Sequence, residues 1–278
     1  MYNTEFIRHD INGVIFMTSA ILDAQGVCHA FSTRHGGVSQ GAQASLNLDH
    51  KKDSVENVRQ NHLRLARAVG YAPEATVSTH QIHSDIIRLA QAADAGQHLD
   101  GPTPYECDAL ITNQTGRPLI AYAADCIPIL ICALNQQGKP CAVAAVHAGW
   151  RGTQADIAAK TVQRLQQEYQ IEPARCLAAI GPGIGGCCFS THADVPLAMH
   201  KAFGAEVERF IRKDPKAEKP GKFLVNLKAI NAWRLLKTGL PNDNIAISPE
   251  CTCCRPEKYW SHRFTKGERG GQAAVISL

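Results

Sequence analysis

The sequence predicts an α+β protein, with mixed β-sheets packed against flanking helices in a single domain over residues 1–278. Hydrophobic residues make up 45% of the chain and charged residues 19%, so one large core is expected. Helical segments alternate with short apolar runs, yet several of these runs follow one another through tight turns. Consecutive strands of this kind favour mixed sheets over a purely doubly wound parallel sheet.

Short apolar runs bounded by turn residues mark the predicted strands. Those in the middle of the chain are continuous enough to be buried on both faces of a sheet. Strands are expected at residues 27–33, 75–83, 109–112, 119–122, 127–132, 142–146, 176–180, 244–248 and 273–278.

The predicted helices carry apolar side chains at helical spacing. In the first of them, Asp53 or Ser54 can cap the start and Gly70 can end the helix. Helices are expected at residues 53–70, 153–169, 194–203 and 227–237.

Composition and charge narrow the choice of partners. No apolar run reaches the roughly 18–20 residues needed to cross a bilayer, and the first residues lack the pattern of a secretory leader. We therefore expect a cytoplasmic protein without a membrane partner. The net charge of +4 is spread along the chain, and the densest basic stretch, 209–222, is interrupted by Asp214, Glu218 and two prolines. No nucleic-acid partner is expected, and the oligomeric state is open between monomer and homodimer.

The eleven cysteines are an odd number in a chain without a leader pattern, which favours free thiols in a reducing compartment. The vicinal pair Cys187 and Cys188 follows a glycine-rich turn at 181–186, and burial is a better interpretation of this pair than redox activity. The segment 251–254 holds three more cysteines. A structural zinc there would need a second ligand pair, and only His262 lies close downstream.

Three reactive segments lie at the ends of predicted strands. The first ends at His83, and the second places Asp125 and Cys126 just before Pro128. Because proline interrupts strand pairing, we expect that pair at a sheet edge or bulge. The third, 147–152, joins a buried strand to a helix N-terminus, where backbone N–H groups attract anions. Ligand-binding groups are therefore expected at these strand ends.

Taken in order, these segments resemble the YfiH/laccase-domain family, also called polyphenol oxidase or DUF152 proteins. The most specific piece is His-Ala-Gly-Trp-Arg-Gly at 147–152. The other matching pieces are Ser-Thr-Arg-His-Gly-Gly at 32–37, Gln-Ile-His at 81–83, Cys-Asp-Ala-Leu at 107–110, Ala-Asp-Cys at 124–126, Ile-Gly-Pro at 180–182, Cys-Thr at 251–252 and Ser-His-Arg at 261–263.

The resemblance implies a CNF1/YfiH-like fold and a zinc site formed by His83, Cys126 and His147, with copper as an alternative metal. Three protein ligands leave a fourth position open, as in catalytic zinc sites. Cys126 and His147 are then also catalytic, and Asp125 is expected to orient a ligand or shuttle a proton.

The family is linked to phosphorolysis of inosine, adenosine and methylthioadenosine, and to adenosine deamination, for which zinc can activate water. The expected partners are therefore a purine nucleoside and phosphate. The residues expected to bind this substrate pair are Arg34, Asn47 and Arg151.

Two alternatives remain open from the sequence, and a third, a true laccase, gains no support. A laccase would need His-x-His pairs, and none of the 12 histidines forms one. A cysteine hydrolase, or an enzyme that edits peptidoglycan precursors, would use Cys126 as nucleophile and His147 as base. A metal-binding module without turnover is suggested by Cys187, Cys188, Cys253 and Cys254.

Overall fold

The computed structural model describes residues 2–217 and 220–278, so Glu218 and Lys219 of the basic stretch lie outside the described residues. The strands are β1 (Phe6–Ile11), β2 (Val14–Ser19), β3 (Cys28–Ser32), β4 (Val77–Ser78), β5 (Ile87–Leu89), β6 (Ala109–Thr112), β7 (Leu119–Ala123), β8 (Ile127–Leu134), β9 (Pro140–Ala148), β10 (Cys176–Ile180), β11 (Ser190–Thr191), β12 (Ile211–Lys213), β13 (Phe223–Val225), β14 (Ile245–Ile247) and β15 (Gln272–Ser277). The α-helices are α1 (Ala20–Asp23), α2 (Val55–Val69), α3 (Trp150–Gln154), α4 (Ile157–Tyr169), α5 (Asp194–Phe203), α6 (Leu227–Thr238) and α7 (His262–Thr265). None of these helices is long and apolar enough to cross a membrane.

Two six-stranded mixed sheets form the centre of the fold; the sequence predicts mixed sheets but not their number or size. The first has the order β1-β2-β3-β15-β7-β4 and the second the order β14-β10-β8-β9-β6-β5. Most neighbours are antiparallel, whereas β4–β7, β5–β6 and β10–β14 are parallel. A small third sheet, β11-β13-β12, lies beside them. The predicted class of mixed sheets with flanking helices is confirmed.

The two large sheets pack face to face, and helices cover their outer faces. Side chains alternate along β8, so Leu130 and Cys132 point into the layer between the sheets, whereas Ile129 and Ile131 pack toward α4, α5 and α6. On the opposite side, Leu65 of α2 packs on the outer face of the first sheet. The layers are therefore helix, sheet, sheet, helix, and both sheets are largely covered by other elements.

Two local predictions need correction. The helix expected at 153–169 is two helices, α3 and α4, because Asp156 adopts a left-handed backbone with φ of 65°. There its carboxylate pairs with Arg234 at 2.6 Å. Pro128 does not mark a sheet edge: it is the second residue of the central strand β8, and its carbonyl accepts a hydrogen bond from the Gly181 N–H. Since proline is tolerated at a strand start, Cys126 lies just before a central strand.

Candidate metal centre

His83, Cys126 and His147 meet at one end of the second sheet. Cys126 precedes β8, His147 lies near the end of β9, and the β8–β9 register pairs His147 with Pro128. The ligand atoms of all three residues lie within 4.8 Å of one another, and 3.8 Å separates the Cys126 Sγ from the His83 Nε2. The structure therefore brings together the residues that the sequence proposes as metal ligands.

The backbone around this cluster is shaped for close approach. His83 and Asp125 are both non-glycine residues with positive φ, 64° and 89°. Such conformations cost free energy and persist at sites that the surrounding structure holds in place. Gly149 lies against the cluster: a Cβ on it would come within 2.8 Å of His83 Cδ2 and 3.2 Å of Cys126 Sγ. Only glycine fits at this position without moving the two side chains.

Asp108 holds the cluster from behind. Its Oδ1 accepts from His147 Nδ1 at 2.8 Å and from the His83 N–H at 3.1 Å, and its Oδ2 accepts from the N–H and hydroxyl of Ser84, both at 2.7 Å. Asp108 is fully buried. With the Nδ1 proton held by this carboxylate, the Nε2 of His147 is left to act as a ligand.

This role of Asp108 is a residue function that the sequence analysis missed. Asp108 appeared there only inside a matching motif. An acid directly before an apolar, fully buried strand was the signal, because a carboxylate in such a place needs hydrogen-bond donors. Although burial raises the pKa of Asp108, the hydrogen bonds from His147 and Ser84 outweigh it and lower that pKa below its ordinary value.

Electrostatics favour a thiolate at Cys126. Burial acts to raise the pKa of Cys126, but the charge of His147 and hydrogen bonds from His147 and His83 lower it to about 6. Burial acts to lower the pKa of His147, whereas the Cys126 thiolate and Asp108 raise it to about 9. These shifts favour the Cys126 thiolate, which is the form that binds metals, and a metal that binds Nε2 of His147 displaces any proton from that nitrogen.

The Asp125 carboxylate accepts no hydrogen bond from His83 or His147, so any effect on a ligand would pass through the backbone of Cys126, the next residue. The Asp125 Oδ1 accepts from the Thr252 hydroxyl at 2.6 Å and its Oδ2 from the Arg263 N–H at 2.6 Å. Asp108 is the carboxylate that contacts His147 instead. Asp125 lies beside the cleft described next, so a part in proton transfer is still compatible with its position.

The cluster opens into a cleft of about 720 Å³. Cationic side chains on its lining come from Lys51, Arg263 and Arg269, and apolar or aromatic surface comes from Tyr122 and Phe189. The other lining residues are Leu48, Asp49, His50, Ser78, Thr79, His80, Gln81, His98, Gly101, Pro102, Thr103, Ala123, Ala124, Asp125, Ile184, His262 and Gly271, together with the three residues of the cluster. Such a mixture suits a small molecule with an anionic group and a flat ring.

The three residues expected to bind substrate are not on this lining. The Arg34 guanidinium donates to the carbonyls of Ala44 and Pro256. Asn47 is fully buried, and its Oδ1 accepts from the backbone N–H of Gly271. Arg151 is exposed at the start of α3, where its guanidinium stacks on its neighbour Trp150. Arg34 and Asn47 therefore form hydrogen bonds within the protein, and the cationic residues on the cleft lining are Lys51, Arg263 and Arg269.

The donor set fits a zinc ion. Two imidazole nitrogens and one thiolate from three chain segments match the ligands of catalytic zinc sites, and the cleft leaves room for a fourth ligand. The carboxylate on the outer nitrogen of His147 is the usual support of a metal-binding histidine.

Comparison with known proteins defines the class. The chain belongs to the family described as multi-copper polyphenol oxidoreductase laccase, whose model matches residues 28–278. It is 34% identical over 255 residues to purine nucleoside phosphorylase YlmD of Geobacillus stearothermophilus, covering 90% of both chains. It is 34% identical over 252 residues to a purine nucleoside phosphorylase of Deinococcus radiodurans, covering 91% of this chain and 89% of that one.

Solved structures agree with this assignment. The hypothetical protein YfiH of Bacillus licheniformis superposes with a TM-score of 0.88 at 26% identity, over 98% of both chains. A Neisseria meningitidis protein of the DUF152 family superposes with a TM-score of 0.75 at 28% identity, again over 98% of both chains. The resemblance to the YfiH/DUF152 family and the fold that it implies are therefore confirmed.

Proposed function

We propose that this protein is a zinc-dependent purine nucleoside phosphorylase that acts on inosine, adenosine and methylthioadenosine. The observation that carries the proposal is the opening of the His83, Cys126 and His147 cluster into a cleft with cationic and aromatic surface. The names of the relatives in Geobacillus stearothermophilus and Deinococcus radiodurans support the same activity.

His83, Cys126 and His147 would hold the zinc ion, and Asp108 would keep His147 in the ligating tautomer. When bound, zinc supplies Lewis acidity toward an oxygen atom at its open position. A soft thiolate with two imidazoles suits zinc, and the same donors also accept copper.

In phosphorolysis, an oxygen of inorganic phosphate bonds to C1′ of the ribose while the C1′–N9 bond breaks, and the electron pair passes to the purine, which then takes up a proton. Phosphate needs cations, and the cleft lining would supply them from Lys51 and from Arg269, which is paired with Asp49 at 3.3 Å. Phe189, on the cleft lining, would stack on the purine. Asp125 would move the proton, because its carboxylate is fixed beside the cleft by Thr252.

The direct test is an incubation of zinc-loaded protein with inosine or adenosine, with and without phosphate, followed by chromatography. We expect free base and ribose 1-phosphate only when phosphate is present. Cys126→Ala should lose both the zinc of this centre and the activity. Intact nucleoside after long incubation would refute the phosphorylase, and full zinc retention at this centre by Cys126→Ala would refute the ligand assignment.

Adenosine deamination is proposed as a side activity of the same centre. It would yield inosine and ammonia without phosphate, so the phosphate-free incubation detects it separately. Absence of inosine in that incubation would remove this activity from the proposal while leaving phosphorolysis unaffected.

A second candidate is a cysteine hydrolase, which includes an enzyme that edits peptidoglycan precursors. It is favoured by the depressed pKa of Cys126 beside His147, whose other nitrogen is held by Asp108, an arrangement that also activates a nucleophile. This enzyme would work after complete chelation of metal and would be inactivated by thiol alkylation from which substrate protects it. A metal-binding module without turnover would show no product across a nucleoside panel in the metal-loaded state.

We also propose a cytoplasmic location. All eleven cysteines are free thiols in the structure, including the exposed Cys187 and Cys254. Exposed, closely spaced thiols persist in a reducing compartment. Localisation of a fluorescent fusion would test this.

A further inference from the structure

Four cysteines form a second cluster, separate from the metal centre above. The sulfur atoms of Cys187, Cys188, Cys251 and Cys254 all lie within 4.8 Å of one another. Cys254 Sγ is 3.3 Å from Cys188 Sγ and 3.6 Å from Cys187 Sγ. The ligand pair that the sequence around 251–254 lacked is supplied by the vicinal cysteines more than sixty residues upstream. The expected burial of Cys187 is wrong, because its side chain is exposed.

We propose that these four thiolates, which we call the tetracysteine site, bind a structural zinc ion. Zinc bonds to cysteine sulfur at about 2.3 Å in a tetrahedron, which places the sulfurs about 3.8 Å apart. The distances in the cluster lie around this value, so small side-chain rotations bring all four sulfurs onto one ion. Four thiolates select zinc or an iron–sulfur cluster, and this compact spacing suits a single ion better than several.

The two loops that carry the cysteines are built around the sulfur atoms. The backbone N–H of Gly185 donates to Cys251 Sγ at 3.1 Å, a contact that supports a thiolate ligand. A Cβ at Gly185 would approach Cys187 Sγ to 3.0 Å and Cys251 Cβ to 3.2 Å, so the loop needs glycine there. The Thr252 N–H also donates to the Gly183 carbonyl, at 3.2 Å. Backbone contacts therefore hold the two loops in register beside the cluster.

A buried lysine balances the charge of the site. Zinc with four thiolates carries a net charge of −2, and Lys228 is only 5% exposed. Its ammonium donates to the carbonyls of Ser248 and Glu250, at 2.8 and 2.7 Å, and interacts electrostatically with Cys251, Cys187 and the Glu250 carboxylate. The Glu250 carboxylate is itself paired with Lys258 at 2.7 Å and with Arg255 at 3.7 Å, so it is shared among several cations. Because a buried charge needs an opposite charge nearby, the tetracysteine site accounts for the presence of this lysine.

The tetracysteine site joins two walls of the cleft. Ile184 and Phe189 belong to the loop of Cys187 and Cys188, and Arg263 follows the loop of Cys251 and Cys254. The Arg263 guanidinium donates to the Cys188 carbonyl at 3.1 Å, a further link between the loops. An ion at the tetracysteine site would hold these walls at a fixed separation, which makes it a positioning element rather than part of the chemistry.

Metal content of the full chain tests the proposal. After zinc loading and removal of free metal, we expect two zinc ions per chain in the wild type and one in Cys254→Ala. Cys126→Ala should also keep one, at the tetracysteine site. Cys253→Ala is the matched control, since Cys253 is a neighbour outside the cluster, and it should keep two.

Cobalt substitution shows which of the two sites binds metal, independently of activity. Thiolate-to-cobalt absorption should be roughly four times stronger at the four-thiolate site than at the one-thiolate centre, because it scales with thiolate number. Cys126→Ala should therefore keep most of the wild-type absorption, and Cys254→Ala should lose most of it while still binding cobalt at the other centre, which shows that it has folded. One zinc per chain in the wild type with none in Cys126→Ala would overturn the proposal. So would an unchanged zinc content in Cys254→Ala, or oxidation of the cluster to a disulfide in the presence of zinc.

Discussion

Replacement of Asp108 by Asn tests what the Asp108 carboxylate contributes to metal binding at the neighbouring centre. Asn has nearly the same shape, but its amide NH₂ cannot accept the Nδ1 proton of His147 that Asp108 now accepts at 2.8 Å. If the NH₂ group faces His147, the imidazole must move its proton to Nε2, the nitrogen that would bind metal. We therefore expect Asp108→Asn to weaken metal binding without removing any ligand.

The size of the expected loss in metal affinity follows from the contacts that Asp108 makes. Loss of the support behind a histidine ligand typically lowers metal affinity 10- to 100-fold, which corresponds to about 1.4–2.8 kcal/mol. Asp108 also accepts from the backbone N–H groups of His83 and Ser84. Because this substitution disturbs the positions of two ligands, the expected loss lies near the upper end, about 100-fold.

The assay is competition for zinc with a chromophoric chelator, on wild type and Asp108→Asn. Asp94→Asn is the matched control, since Asp94 is also buried and charge-paired, with Arg88 at 2.8 Å, but lies away from the cluster. It should lose stability and keep its zinc affinity. An Asp108→Asn affinity within threefold of wild type would refute the tautomer argument, and an equal loss in both variants would show that general destabilisation explains it.

Three further predictions concern the cleft and its surroundings. Gly149→Ala should weaken zinc binding 10- to 100-fold by chelator competition, because its Cβ collides with His83 and crowds Cys126; unchanged affinity would contradict the observed packing. Arg34→Ala should lower the free energy of unfolding by about 2 kcal/mol in urea, since its carbonyl acceptors lose their donors, while KM for phosphate stays the same; a raised KM would return Arg34 to substrate binding. Burial lowers the pKa of His98 in the folded protein to about 4, whereas in the unfolded chain this histidine has a pKa near 6.5. As the pH falls, the unfolded chain therefore binds a proton at His98 before the folded protein does. Between pH 6.5 and pH 4 the free energy of unfolding should fall by up to about 3 kcal/mol. Denaturation curves of His98→Leu should show a smaller fall over this pH range, and the same pH dependence as in the wild type would contradict the role of His98.

The local sequence pattern was sufficient to predict most of the helices and strands, but it did not show which strands pair with one another. The strands at Ala109–Thr112 and Cys176–Ile180 and the helix at Asp194–Phe203 have the predicted bounds, because continuous apolar runs and helical spacing report burial directly. The hairpin of β1 and β2 was missed although Asn12 and Gly13, both at positive φ, form its turn. β1 is largely exposed, so its apolar pattern is weak, although its partner β2 is mostly buried.

From the residues alone, the ligands of the metal centre could be predicted only as separate candidates at strand ends. The family resemblance joined them into one site. Nothing in the spacing of His83, Cys126 and His147 shows that three loops converge, because sheet order decides it. The same reason hid the tetracysteine site. Arg34 was expected to bind substrate, and nothing in the sequence indicated that its guanidinium donates to carbonyls, one of them in the distant residue Pro256.

The two clusters are connected through Asp125, and this connection bears on the family's laccase name. Asp125 directly precedes Cys126, and it accepts hydrogen bonds from Thr252, beside the tetracysteine site, and from Arg263. Multi-copper oxidation requires several copper ions that exchange electrons, with histidines as most of the ligands. Among the described residues, the second cluster offers only thiolates and the first has one thiolate and two imidazoles. The arrangement instead suits one open, reactive zinc whose surroundings are held by a second, closed zinc, because the first cluster lines the cleft and none of the four cysteines of the second cluster does.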